Sequence, residues 1–451
     1  MAVNVTFYRG GVVATAIPAG QATPDALIVK DGSIAWIGNS SDPGLPEEIT
    51  SLIQEAETVE LDGNLITPAF HDAKIDALTL GLQLLDLPTD PEQALADGEL
   101  QAGLRAGLNA AAEAGVAVLN HHGNAQRPVS ELQKFADLTA DAASGLPQVV
   151  VYGGGKLTSA AQGQEILAAA PGLAGFGPVA IDGDFTTGTA ALEQRYSDRH
   201  APQWSGDDPG MGELLVSESE IAAHLIAATQ LGRAAVFRAR GDRALHALVA
   251  AFEAAAREVG DDALRRAGHQ VESADLIDAT ALSSLVLFGV TIIADPQAEA
   301  AFGGEDGLYA KRLGPVRALA MNPWADLITT GVELRFASHA PQRSFNPWGT
   351  VHTAMTHHDS GQRLNMIDAF GAHTGGIISL EVGAPATIAI WSAVDTTAYP
   401  LRANRGFGQF ETVLTLPANS ALANIEMDVQ PIQCIQVLRE GVALMSRHAD
   451  S

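Results

Sequence analysis

From residue 65 onward the chain alternates short apolar runs with longer Ala-rich stretches, and this alternation restricts the fold more than any other feature. The expected strands span residues 65–72, 116–121, 148–152, 178–182, 234–239, 269–273, 290–294 and 332–338. Between them, stretches such as 101–113, 217–231 and 244–259 carry apolar residues at helical spacing. Ser217-Glu218-Ser219-Glu220 has the pattern of a capping box opening the middle one. Eight strands, each followed by a helix, form a parallel sheet that closes on itself, so a (β/α)₈ barrel is expected over residues 67–377. Gly153-Gly154-Gly155 lacks the Lys-Ser/Thr of a phosphate loop and reads as a barrel turn.

Both ends of the chain are strand-rich instead. Asp31-Gly32 between two apolar runs predicts a tight hairpin, because both turn positions need positive φ. Asp62-Gly63 between Val59-Glu60-Leu61 and Asn64-Leu65-Ile66 is read as a second hairpin, and Glu440-Gly441 as a third, after a strand over 432–438. The segment 384–391 supplies one more strand. Neither terminal block is long enough to close a core alone. Residues 1–66 and 378–451 are therefore expected to join into one small β-sandwich beside the barrel.

Charge bounds the partners. The formal net charge of −27 repels nucleic acid and anionic membrane, so neither is an expected partner. The only cysteine, Cys434, excludes an internal disulfide framework and a Cys-rich zinc site. Residues Met1 to Phe7 lack a basic segment followed by an apolar core, and the most apolar window, 282–294, is too short to span a bilayer. A cytoplasmic protein is expected. Barrels of this size are commonly homodimers, although no interface pattern is legible.

Thr67-Pro68-Ala69-Phe70-His71-Asp72-Ala73-Lys74-Ile75-Asp76 resembles the first-strand signature of the amidohydrolase superfamily, Pro-Gly-Phe-x-Asp-x-His-x-His. Four further segments resemble its YtcJ-like branch, amidohydrolase family 3, in the same order. They are Asp182-Gly183-Asp184 through Thr189-Ala190-Ala191-Leu192, Phe237-Arg238-Ala239-Arg240-Gly241-Asp242-Arg243-Ala244, His269-Gln270-Val271-Glu272-Ser273-Ala274, and Ala337-Ser338-His339-Ala340-Pro341. Glu381-Val382-Gly383-Ala384-Pro385-Ala386 is similar to the run that follows the barrel. The resemblance implies hydrolysis of non-peptide carbon–nitrogen bonds by a water activated on zinc or another divalent ion. It also implies where the ligands should stand: the first-strand histidine pair at Lys74 and Asp76, the strand-five histidine at Arg238, the strand-six histidine at Ser273, and the catalytic aspartate at His339. The lysine of strand four falls near Pro178 or Val179.

None of these positions holds the expected ligand, and Lys74 and Arg238 cannot donate a lone pair at neutral pH. A divalent ion beside each would meet repulsion of roughly 4 kcal/mol per unit charge at 4 Å in an effective dielectric of about 20. No metal or other cofactor is therefore expected. Lys74 and Asp76 are two apart on a strand and should face the same centre, where Asp76 is expected to accept hydrogen bonds from Lys74 or Arg238. His121 and His122 end the second strand, and only one of the two can face inward. His71, out of phase with Lys74, is expected to face the helix layer, and Glu272 resembles a family glutamate outside the ligand set. His357-His358-Asp359 is read as solvated residues at a helix end.

Three functional readings follow. The first is a pseudo-enzyme that keeps the fold and has lost metal-dependent hydrolysis. The second is a carbon–nitrogen hydrolase with a relocated single-metal or metal-free site around His121 or His122, Asp76 and His339. The third is a protein that binds an anionic small molecule through Lys74 and Arg238, with Arg240 beside them.

Overall fold

The computed structural model describes residues 5–15, 23–90, 95–122, 128–198, 210–343, 345–392 and 433–447, with the backbone of 401–402 and 413–414. Eight parallel strands stand in chain order: β1 (Phe70–Ile75), β2 (Val116–His122), β3 (Gln148–Gly154), β4 (Leu173–Ala180), β5 (Ala234–Ala239), β6 (Gln270–Ser273), β7 (Thr291–Ala294) and β8 (Leu334–Phe336). The expected (β/α)₈ barrel is the architecture observed. β1 and β8 approach without a regular ladder. The seam is bridged where the His339 N–H donates to the Lys74 carbonyl at 3.2 Å and the Asp76 N–H to the Ala340 carbonyl at 3.0 Å.

The helices surround the sheet for the reason their sequences suggest. Asp97–Glu113 buries Leu100, Leu104, Leu108 and Ala111, one stripe at helical spacing. At the start of Glu218–Gln230, the Ser217 hydroxyl accepts from the Glu220 N–H while the Glu220 carboxylate accepts from the Ser217 N–H, so the capping box forms as read.

Two strand boundaries differ from expectation. The run 65–72 is divided between two sheets: Leu65–Pro68 pairs antiparallel with Ile388–Trp391, and only from Phe70 does the chain enter the barrel. A continuous apolar run carries no mark of that crossover. β4 begins at Leu173, five residues earlier than expected, because Gly175 and Gly177 look like loop residues in the sequence. Here they allow close packing: a Cβ on Gly177, at φ +125°, would lie 2.3 Å from the Val236 carbonyl oxygen.

The chain ends build two sheets. One runs Ser33–Gly38, Ala26–Lys30, Val5–Arg9, Glu57–Glu60; the other runs Val442–Ser446, Cys434–Arg439, Ile388–Trp391, Leu65–Pro68, Val12–Val13. They share a core that includes Tyr8, Leu27, Ile66, Ile388 and Leu438, which makes the expected sandwich. Asp31 and Gly32 form their hairpin turn with φ +47° and +84°. Asp62-Gly63 turns with the same signs of φ but passes the chain from one sheet to the other, so it is not a hairpin. Ile432, the expected start of the strand before Glu440-Gly441, lies outside the described residues, as do Met1 to Asn4. Among the described residues no helix is long and apolar enough to cross a membrane.

Candidate active site at the barrel mouth

At the C-terminal ends of the strands lies a cavity of about 480 Å³, in the size range of small-molecule sites. Lys74 from β1, His122 from β2 and Arg238 from β5 line it. So do Asp76, Arg240 and His339 from the loops that follow β1, β5 and β8. The carboxylate of Glu272, from β6, is fully buried beneath.

Glu272 organises the centre. Lys74 Nζ lies 2.5 Å from its Oε2, and His122 Nδ1 lies 2.5 Å from its Oε1. Burial alone would raise the Glu272 carboxyl, yet the Lys74 charge and the His122 hydrogen bond hold it well below the usual carboxylate range. A carboxylate can only accept, so His122 carries its proton on Nδ1 and presents a lone pair at Nε2. Burial also lowers the His122 pKa, which favours that neutral form. Burial, with Lys74 nearby, drives His339 well below its ordinary value too.

The remaining charges are arranged around β5. Arg240 Nη1 lies 3.0 Å from Asp275 Oδ2, and its Nε lies 3.2 Å from Asp184 Oδ2. Arg343 pairs with Asp295 at 3.0 Å. Arg238 is different. Its Nη2 makes a 3.4 Å contact to the Asp182 carbonyl, and its Nε is buried without a partner. Asp182 ties the two loops together, accepting the N–H groups of Ala191, Arg240 and Gly241 at 2.9, 3.0 and 2.9 Å.

Several expectations need correction. Asp76 accepts from neither Lys74 nor Arg238; its carboxylate caps the helix Ala77–Leu84, taking the Thr79 N–H at 3.0 Å and hydroxyl at 2.7 Å. Lys74 and Asp76 do line the same cavity, as their two-residue spacing suggests, but the strand ends at Ile75 and Asp76 serves as the N-cap of the helix that follows, which takes up its carboxylate. His121 leaves the site: its ring meets Phe135 edge-on within the main core, as strict alternation with the inward His122 requires. Ser273 does not line the cavity; its backbone takes φ +75° at the end of β6 and its hydroxyl is buried. His71 faces the barrel interior, not the helices, because its Nε2 meets Asn120 Oδ1 at 2.9 Å and Asn120 shares a face with His122. His357 and His358 are not simply solvated. His357 is buried against Trp324, and His358 Nδ1 sits 3.0 Å from the buried Glu299.

Glu272, outside the ligand positions that the resemblance implies, is nevertheless the residue that ties Lys74 and His122 together. Its signal was present: a lone carboxylate beside Val271, in a strand expected to be buried, needs a buried hydrogen-bond or charge partner, or a proton.

The divalent ion that the family resemblance implies does not fit these residues. Lys74 stands at a ligand position with its ammonium on Glu272, Arg238 puts a guanidinium at another, and Asp76 is committed to a helix cap. Among the described residues no three His, Cys, Asp or Glu side chains converge as metal ligands do.

The sequence profile of the Amidohydrolase family matches residues 69–397. No curated protein matches the chain by sequence. Among solved structures, an uncharacterized metal-dependent hydrolase from Pyrococcus furiosus aligns with a TM-score of 0.65 at 16% identity, over 86% of this chain and 98% of its own. Ochratoxinase from A. niger aligns with a TM-score of 0.60 at 12% identity, over 98% and 96% of the two chains. A putative prolidase from Bifidobacterium longum gives 0.54 at 13% identity, over 87% and 90%. At these identities the likeness is one of fold.

Proposed function

Because this chain belongs to the amidohydrolase family, we propose that it retains the family's barrel and mouth cavity but has lost metal-dependent hydrolysis of carbon–nitrogen bonds. One observation carries the reading. Both oxygens of Glu272 are taken by residues of the chain itself, Lys74 and His122. Lys74, at a position where the resemblance implies a metal ligand, is thus held in the centre by Glu272 as a fixed cation. Adding a divalent ion would set it against the Lys74 and Arg238 charges, at roughly 4 kcal/mol per unit charge at 4 Å in an effective dielectric of about 20. Arg238 and Ser273 supply no imidazole to offset that repulsion.

Elemental analysis of freshly purified, dialysed protein tests the proposal, together with turnover assays on amide, cyclic amide and carbamate substrates. The expected result is a metal content far below one ion per chain and no turnover after addition of zinc, manganese or nickel. Stoichiometric metal that survives dialysis, with turnover that a chelator abolishes, would refute it.

A second reading is favoured by His122 alone. A histidine held by a buried carboxylate, with its other nitrogen free of protons, is the arrangement of a general base. Hydrolysis of a carbon–nitrogen bond without a metal would rest on that nitrogen, with His339 across the cavity. Chelator-resistant turnover that disappears in His122→Phe would support it, and no turnover on the same substrates would remove it.

A further inference from the structure

Of the four lysines and arginines among the described residues that line the cavity, three are neutralised at close range. Lys74 has Glu272 at 2.5 Å, Arg240 has Asp275 at 3.0 Å and Asp184 at 3.2 Å, and Arg343 has Asp295 at 3.0 Å. Arg238 has no carboxylate within ion-pair distance among the described residues; its charge acts only at longer range on Asp184, whose carboxylate is already on Arg240. A guanidinium offers five N–H donors, and its one hydrogen bond here is the 3.4 Å contact to the Asp182 carbonyl, with Nε buried and unmatched. His122 also lines the cavity; its side chain is fully buried and its Nε2 is a second unmatched atom, whose hydrogen-bond role is the opposite, that of an acceptor. Arg238 and Glu272 stand side by side in the β5–β6 register, and His122 touches the Glu272 carboxylate. The spare donors and the spare acceptor therefore flank one buried residue.

From this geometry we infer that the cavity binds a small carboxylate that also carries an O–H or N–H donor, the carboxylate on Arg238 and the donor on His122 Nε2. The planar fork of arginine matches a carboxylate through two parallel hydrogen bonds, which favours this anion over a spherical one. Lys74 is a weaker anchor, because its charge is already offset by Glu272 and an ammonium lacks the planar fork. The inference rests on the metal-free reading of the site, since an ion on Glu272 or His122 would take the groups that it uses.

Isothermal titration of the full chain with matched acids tests it: lactate against propionate, and mandelate against phenylacetate, with chloride and inorganic phosphate as anion controls. The hydroxy acid of at least one pair should bind at least tenfold tighter than its partner and tighter than phosphate. Arg238→Gln should lose at least tenfold in that affinity, with unchanged thermal unfolding because Arg238 makes one weak contact. Should that variant fail to fold, Arg238→Lys, which keeps the charge and loses the fork, should weaken binding while preserving the fold. Equal affinity within both pairs overturns the donor assignment. Absence of binding by all four acids, or wild-type affinity in the Arg238 variants, overturns the site. Metal content measured on the same sample separates the two proposals. Metal-free protein that binds no acid refutes this inference alone, whereas stoichiometric metal refutes the functional reading beneath it.

Discussion

Lys74 on β1 and Glu272 on β6 are 198 positions apart in sequence, and their charged atoms meet 2.5 Å apart. Neither is placed by its own strand alone. Lys74 reaches the centre because the bulge after Asp72 turns it inward, and Glu272 tolerates complete burial because the ammonium and His122 satisfy both of its oxygens. The pair fixes two opposite sides of the barrel to each other.

Removing one partner of such a pair leaves a buried charge without compensation, which typically costs about 3–5 kcal/mol. Lys74→Met should lower the unfolding free energy at pH 7 by that order. Because Lys74 holds Glu272 below its ordinary range, the native Glu272 contributes stability above the unfolded carboxyl pKa and loses it as pH falls through the depressed folded value. The deficit of the variant should therefore shrink as pH approaches 4, where its Glu272 can take a proton. Urea denaturation at several pH values checks this, and a constant deficit would show that Glu272 is not the cause.

Asp72 behaves in the opposite way. Burial pushes its carboxyl up to about 6, although one oxygen accepts the N–H groups of Ser338 at 3.0 Å and Lys74 at 3.1 Å. A raised carboxyl loses native stability as pH rises through the window from about 4 to about 6. Asp72→Asn keeps an oxygen for both N–H groups and removes the charge. Its stability relative to the parent should improve by on the order of 2–3 kcal/mol between pH 4 and pH 7. A difference between the two proteins that is flat with pH would sink the assignment.

Much of this architecture is written locally. The alternation of strands and helices, the Ser217 capping box and the Asp31-Gly32 turn all depend on residues within a few positions of one another, and each appears where its chemistry requires. What was not legible depends on distant partners. The division of residues 65–72 between two sheets is decided by Ile388–Trp391, more than 300 positions later. The same holds at the site. The family resemblance implied Lys74, Arg238 and His339 at one centre, and strand alternation admitted only one of His121 and His122 there, whereas which of the two faces in, and the pairing of Lys74 with Glu272, depend on contacts that no local pattern encodes.

Arg439 ties the sandwich to the barrel. Its side chain is buried, with Nη1 donating to the Thr139 carbonyl at 2.7 Å and the Leu146 carbonyl at 3.3 Å, and Nη2 to the Ala140 carbonyl at 3.3 Å. Arg439→Met fills similar space but leaves carbonyls at the end of the helix Val129–Thr139 unmatched. A loss of about 3 kcal/mol in global stability is expected. Proteolysis should also cut faster near residues 139–147 under native conditions, and mass spectrometry of the fragments locates the cut.

His269 gives a pH-dependent prediction with a defined sign. Its Nδ1 accepts the Ala235 N–H at 2.9 Å, and its Nε2 lies 3.0 Å from the Thr229 hydroxyl, which donates in turn to the Leu225 carbonyl at 2.7 Å. Every proton is assigned by that chain: Nδ1 must be bare and Nε2 must carry the hydrogen, so the ring is neutral. Burial, with repulsion from His224, pushes its pKa down to about 3. A histidine lowered on folding favours the native state above the unfolded pKa and progressively loses that stability below about pH 6.5. Between pH 6.5 and pH 4 the loss should be on the order of 3 kcal/mol. His269→Asn offers an amide oxygen to Ala235 and cannot titrate, so it should be less stable than the parent at pH 8 through the space it leaves, yet show a shallower fall on acidification. Parallel slopes for the two proteins from pH 7 to pH 4 would mean that another group sets the acid limit.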